Sequence, residues 1–183
     1  MTDLTILGIA GALRSGSTNR KLLAEARRLF GPANHIEGDL RLPLYDGDLE
    51  DAQGIPAEAQ RLADQIKAAD AVIIATPEYN RSIPGVLKNA LDWVSRTKGG
   101  VWRDKPVAIM SAADGRTGGA RSQFALRLSM ATSRAMILPL PEVIVADSSN
   151  AFDAQGHLSD PYYVKQLSDL MAILKAEAEK RRA

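Results

Sequence analysis

Residues 76–93 read TPEYNRSIPGVLKNALDW. Five apolar residues, Ala71–Ala75, lead into this stretch, and an amphipathic segment from Pro84 to about Arg96 leads out of it. In that segment Val86, Leu87, Ala90, Leu91 and Val94 recur at three- and four-residue spacing, as on one face of a helix. Pro84 suits a first helical turn, where a missing N–H costs nothing. Between strand and helix lies Pro77-Glu78-Tyr79-Asn80-Arg81-Ser82, dense in hydrogen-bonding groups and holding one aromatic ring. A buried strand, a polar loop and a helix in that order are how an open α/β sheet presents a ligand site at the carboxyl ends of its strands.

The same alternation extends in both directions. Leu4–Ala10 (LTILGIA) reads as a strand buried on both faces, followed by a turn-rich loop and a helix over Thr18–Phe30 that Gly31-Pro32 ends. His35–Leu42 is a second strand, Pro43–Pro56 a loop by composition, and Ala57–Ala69 a helix with Leu62, Ala63 and Ile66 on one face. After the central stretch come a strand over Pro106–Ala112 and a glycine-rich loop over Ala113–Gly119. A helix over Ala120–Met136 follows, with Phe124, Leu128 and Met130 or Ala131 as its apolar face. Ile137–Val145 is the last strand, and Pro139 and Pro141 place it at a sheet edge. Ser159-Asp160-Pro161 caps a long C-terminal helix. Five strand–helix alternations predict a parallel sheet with helices on both faces. No repeat or linker divides the chain, so residues 1–183 are expected to form a single domain.

Composition limits the function classes. Hydrophobic residues make up 45% and charged residues 25%, and the formal net charge is +1, so no charge excess points to nucleic acid or membrane. The basic run Lys180-Arg181-Arg182 reads as a solvated helix end. There is no cysteine, which excludes disulfides, thiolate catalysis and cysteine-ligated metal. His35 and His157 are far apart in sequence and in no ligand-spaced cluster, so no metal site is expected. Trp93 and Trp102 read as core or interface anchors. Met1-Thr2-Asp3-Leu4 lacks a signal-peptide pattern and no apolar run approaches a membrane span, so a cytoplasmic location is expected.

Three loops, Gly11–Asn19, Pro77–Ile83 and Ala113–Gly119, should meet in one crevice at the topological switch point. The first reads GALRSGSTN. Gly11 and Gly16 permit close backbone approach, Arg14 supplies a charged fork, and Ser15, Ser17, Thr18 and Asn19 offer polar groups at a helix N-terminus. That combination suits a phosphate; Ser17 or Thr18 serving only as a helix cap is an equal alternative. The spacing matches neither the Walker nor the dinucleotide-binding glycine pattern. The second loop suits a flat polar ring system, with Tyr79 as a wall and the Glu78–Asn80 backbone and Asn80 amide as partners. A well-capped turn with Tyr79 half-buried accounts for it equally. A lone Glu78 without a partner carboxylate does not make a general acid.

GALRSGSTN, PLYD (Pro43–Asp46), TPEYNRSIPGVLKNALDW and GGAR (Gly118–Arg121), in this order, resemble the NADPH-dependent FMN reductase family. The similarity is strongest to its bacterial quinone and chromate reductase branch, from Leu4 to about Val145. The resemblance implies a flavodoxin-like, doubly wound, five-stranded parallel sheet of order 2-1-3-4-5. It implies a non-covalent FMN, with phosphate on Arg14, Ser17, Thr18 and Asn19 and on backbone N–H groups from Ala12 onward. The isoalloxazine would lie against Pro77, Glu78, Tyr79, Asn80 and Arg81. Residues 111–114 would border its other side, with Ser111 and a backbone contact from Ala113. Ala12 stands where the family usually has Ser, and Arg81 and Phe124 stand where the branch has Tyr. Arg121 and Glu142 match the ionic part of an inter-subunit network, so a homodimer or homotetramer is implied. The implied activity is hydride transfer from NADPH, or NADH, to FMN and then reduction of quinones or of chromate, azo or nitro compounds. The flavin does that chemistry, so no catalytic side chain is implied. Rival readings are an FMN-binding electron carrier, against which the net charge of +1 argues, and a flavin-based redox sensor with a protein partner.

Overall fold

A computed structural model describes residues 4–182; Met1–Asp3, on which the leader expectation rests, lie outside it. Four strands form the sheet proper: β1 (Thr5–Ala10), β2 (Asn34–Gly38), β3 (Ala71–Ala75) and β4 (Pro106–Ala112). Two short strands, β5 (Met136–Ile137) and β6 (Val143–Val145), both pair with β4 and share the fifth position. All pairings are parallel and the order is β2-β1-β3-β4-β5. The expected 2-1-3-4-5 order therefore holds, with the last strand broken at the proline-containing segment 138–142, since a proline cannot donate to the ladder.

The described residues form six helices, five between strands and the last after β6: α1 (Thr18–Phe30), α2 (Gly47–Gln53), α3 (Ala57–Ala68), α4 (Gly85–Arg96), α5 (Ala120–Ser129) and α6 (Pro161–Arg182). The pleat sends alternate strand residues to opposite faces. Ile6, Ala10, Ile73, Ala75, Ala108 and Met110 pack with α1 and α6 through Leu22, Ala26, Leu170 and Leu174. Leu7, Ile9, Val72, Ile74, Val107 and Ile109 pack with α3 and α4 through Leu62, Ile66, Leu87 and Val94. With both faces covered, β3 is apolar throughout and β1 and β4 are so but for Thr5 and Ser111, which is why they read as apolar runs.

Three expectations need correction. Strand β2 stops at Gly38 rather than Leu42: its ladder with β1 ends at the Ile9–Gly38 pair, one residue before β1 itself ends at Ala10. The segment 43–56 holds a helix, α2, capped by the Asp46 carboxylate on the Asp48 N–H at 2.9 Å. It buries no residue of its own, so it has no apolar period to read. Helix α5 ends at Ser129, and its inward face is Ser122, Gln123 and Leu126, whereas Phe124 and Leu128 are 64% and 79% exposed. Polar side chains line this buried face because they have partners there, so hydrophobicity misplaces it.

Candidate flavin site

The loop after β1 is shaped by its own polar side chains. The Ser17 hydroxyl accepts the Asn19 N–H at 3.2 Å and caps α1. The Asn19 carboxamide, 1% exposed, donates to the Ala112 carbonyl at 2.7 Å and accepts the Ala112 N–H at 3.0 Å. It is a strut from α1 to the end of β4. Both polar atoms of the Asn19 side chain are thus engaged within the protein. The Thr18 hydroxyl donates to Ser148 Oγ, which donates to Asp114 Oδ1. The Thr18 proton is thereby spent, while the Ser17 hydroxyl, which only accepts, keeps a proton to donate outward.

What this bracing leaves free is a row of donors. The N–H groups of Ala12, Leu13, Arg14, Ser15 and Gly16 have no protein partner among the described residues. Ala12 is buried and Leu13, Arg14, Ser15 and Gly16 are exposed; unpaired N–H groups of this kind are open to an acceptor from elsewhere, and they lie just ahead of α1, where the helix dipole favours negative charge. The Arg14 side chain is exposed beside them. Gly11 brings this loop close to the next one, since an added Cβ would lie 3.2 Å from Pro77 Cδ. Gly16 faces open space, so the close approach expected there is not used within the protein.

The loop after β3 is a miniature hairpin. Tyr79 N–H donates to the Ser82 carbonyl and Ser82 N–H to the Tyr79 carbonyl, each at 3.0 Å. Asn80 and Arg81 between them have φ of 50° and 65°, the two left-handed residues of a type I′ turn. Tyr79 is 53% exposed. The N–H groups of Glu78, Asn80 and Arg81 point to no protein acceptor among the described residues. Glu78 is a structural group: its carboxylate accepts the Arg121 N–H at 3.1 Å and lies 3.5 Å from the Arg121 guanidinium. It caps α5 from outside, because the cap residue there is Gly119, which has no side chain to do so. The Ser122 hydroxyl donates to the Pro77 carbonyl at 2.8 Å and meets the Thr76 hydroxyl at 2.8 Å, a second clasp between the loop and α5.

The loop after β4 is closed on itself. Ser111 is fully buried, donating to the Gly118 carbonyl at 2.8 Å and accepting from Gln123. Its hydroxyl holds the loop and does not face the crevice. Both backbone groups of Ala113 are used as well, the N–H on Val145 and the carbonyl by Ser148. Ala113 therefore offers a wall rather than a free donor. Asp114 takes the Ser149 hydroxyl at 2.7 Å and its N–H at 2.8 Å. These bonds, led by the Ser149 hydroxyl, then the Ser148 hydroxyl, hold the Asp114 carboxyl below its ordinary range. Composition gave no reason to single out Ser148, Ser149, Ser122 or Gln123; their value lies in what the fold sets beside them.

The PLYD segment is stitched to α4. Asn89 Nδ2 and Trp93 Nε1 both donate to the Pro43 carbonyl, at 2.9 and 2.8 Å, and Tyr45 packs edge-on against Trp93 at 5.0 Å. Glu50 accepts from Arg96 and from the Tyr45 hydroxyl, and the Arg96 bond chiefly lowers its pKa. Arg121 is paired within its own chain and Glu142 is exposed. His35 lies against Phe30 and His157 beside Asp153, away from these loops.

Free backbone donors in the loops after β1 and β3 of a 2-1-3-4-5 sheet fit a flavin mononucleotide, whose phosphate and ring both accept hydrogen bonds. The sequence profile of the NADPH-dependent FMN reductases matches residues 4–150. The chain belongs to that family. It is 48% identical over 160 residues to an NAD(P)H-dependent FMN reductase of Pseudomonas aeruginosa, covering 86% of each chain. It is 40% identical over 156 residues to a quinone reductase of Escherichia coli, covering 83% of this chain and 82% of the other. Among solved structures it is similar to FerB, an NAD(P)H:acceptor oxidoreductase flavoenzyme of Paracoccus denitrificans. That match has a TM-score of 0.86 and 32% identity, over 97% of this chain and 98% of the other. The chain is an oxidoreductase with a flavodoxin-like fold.

Proposed function

We propose that this reductase uses NAD(P)H to reduce quinones, with residues 1–183 acting as one flavin-binding unit. The single observation that carries the site assignment is the run of unpartnered N–H groups from Ala12 to Gly16 at the head of α1. They would hold the phosphate with the Ser17 hydroxyl and Arg14, and Ala12 adds an N–H but no hydroxyl. The N–H groups of Glu78, Asn80 and Arg81 would meet the ring's acceptors, and Tyr79 would wall its exposed side. The chemistry that bound FMN would supply there is hydride acceptance from the nicotinamide nucleotide and electron delivery to the acceptor.

The protein's work is orientation and solvent exclusion. Asn19, Glu78 and Ser122 hold the loops at fixed separation, so the donors stay aimed without reorganising. No side chain need transfer a proton at the reacting atoms. A planar acceptor stacked on a ring needs few specific contacts, which fits quinones and leaves room for other flat or small oxidants. A chain without cysteine needs no oxidising compartment, and no helix among the described residues is long and apolar enough to cross a membrane. Both support a cytoplasmic location. Phe124, Leu128, Leu140 and Tyr162, all more than 60% exposed, support a homo-oligomer in which Arg121 and Glu142 take part.

The test is a visible spectrum of the purified protein, then anaerobic addition of NADPH and of a benzoquinone. Flavin bands that bleach with NADPH and return with quinone are expected. A protein that stays colourless after incubation with FMN would defeat the site assignment. Bleaching that quinone does not reverse would defeat the acceptor.

A further inference from the structure

The tip of the loop after β3 is more costly than its hairpin requires. A type I′ turn needs φ > 0 at both central residues, and its preferred pair is Asn followed by Gly. Here Asn80, which tolerates the left-handed region, is followed by Arg81 at φ 65°. A side chain with a Cβ at that position is disfavoured against glycine. Strained residues of this kind gather at ligand-binding sites, so the side chain is to be explained by what it meets.

Arg81 meets nothing in its own chain. It is exposed, and no carboxylate or carbonyl pairs with it among the described residues. The contrast with Arg121 is direct, because that guanidinium is held by Glu78 and Thr117. Arg81 is thus an uncompensated cation on a turn fixed by two reciprocal hydrogen bonds. It lies in the loop after β3, which flanks the switch point between β1 and β3, two residues beyond Tyr79. We infer that Arg81 receives a phosphate group of the nicotinamide nucleotide and sets the protein's preference among reductants. The inference rests on the reading above that such a nucleotide reduces the protein. The group is either the 2′-phosphate, found only in NADPH, or the pyrophosphate common to NADPH and NADH. Guanidinium is suited to both, since its fork pairs with two phosphate oxygens at once.

The decisive variants are Arg81→Gly and Arg81→Lys. Glycine keeps the backbone N–H and is the residue the turn prefers, so the loop persists and the melting temperature is expected to hold or rise. Calorimetric titration of the flavin-loaded protein with NADP+ and NAD+, beside KM values for NADPH and NADH, gives the answer. Arg81→Gly is expected to weaken NADP+ binding about ten- to a hundred-fold, the range of a lost charged hydrogen bond. Arg81→Lys should recover part of that loss. Weakening of NADP+ alone identifies the 2′-phosphate; equal weakening of both nucleotides identifies the pyrophosphate. Unchanged affinity and KM for both overturn the inference while leaving the reductase reading intact. Wild-type protein that binds flavin but neither nucleotide overturns both.

Discussion

Helices α1 and α5 both begin at the crevice, and their N-termini are finished in opposite ways. Helix α1 is capped by its own Ser17, and the loop before it is left with five N–H groups that have no partner among the described residues. Helix α5 begins at Gly119 without a side-chain cap of its own, borrows Glu78 from another loop, and has its preceding loop tied down by Ser111 and Gln123. One end keeps its donors for a ligand, and the other spends its polar groups on the protein. A helix N-terminus is therefore a binding site only where the fold declines to satisfy it.

The largest test of this contrast lies in the glycines. An added Cβ at Gly118 would stand 2.6 Å from Ile144 and 2.9 Å from the Ala146 nitrogen, at a φ of 53°. Gly118→Ala is expected to cost about 3–5 kcal/mol, or to prevent folding, by overpacking and backbone strain together. Gly16→Ala, with open space around it, should change stability by less than about 1 kcal/mol. Urea denaturation of the pair measures the difference, and equal costs would break the comparison.

Asn19→Ala comes next. It removes two buried hydrogen bonds and leaves both Ala112 backbone groups without these partners, so about 2–4 kcal/mol is expected. A loss below about 1 kcal/mol would mean that the strut is dispensable and the amide free for a ligand. Glu78→Ala should cost about 0.5–2 kcal/mol, the range of a lost helix cap, with Glu78→Gln recovering most of it because an amide oxygen can still accept the Arg121 N–H. If Gln behaves like Ala, the charge matters rather than the cap.

The smallest effect concerns pH. Asp114 has a folded-state pKa below its unfolded value of about 4. A group lowered in this way lends stability that is present above the unfolded value and lost as pH falls through the folded one. Asp114→Asn should therefore flatten the fall in melting temperature below about pH 4. An unchanged acid limb would show that the Ser148 and Ser149 bonds do not depend on the carboxylate charge.

The sequence by itself determined the sheet, because strands buried on both faces must be apolar throughout, as Ile6–Ala10, Ala71–Ala75 and Pro106–Ala112 nearly are. It also determined which loops meet, since parallel strands put all their carboxyl ends on one side. Helix α2 was not legible, because a helix that buries nothing leaves no apolar period. The inner face of α5 was not legible either: Ser122 and Gln123 resemble surface residues until Thr76, Pro77 and Ser111 are placed against them. The division of labour in GALRSGSTN was also decided only by tertiary structure. Hydroxyls and amides bond to protein or ligand with equal chemistry, and whether Asn19 reaches Ala112 depends on a contact 93 residues away. Local sequence fixes which groups are available, and the fold decides which of them remain unspent.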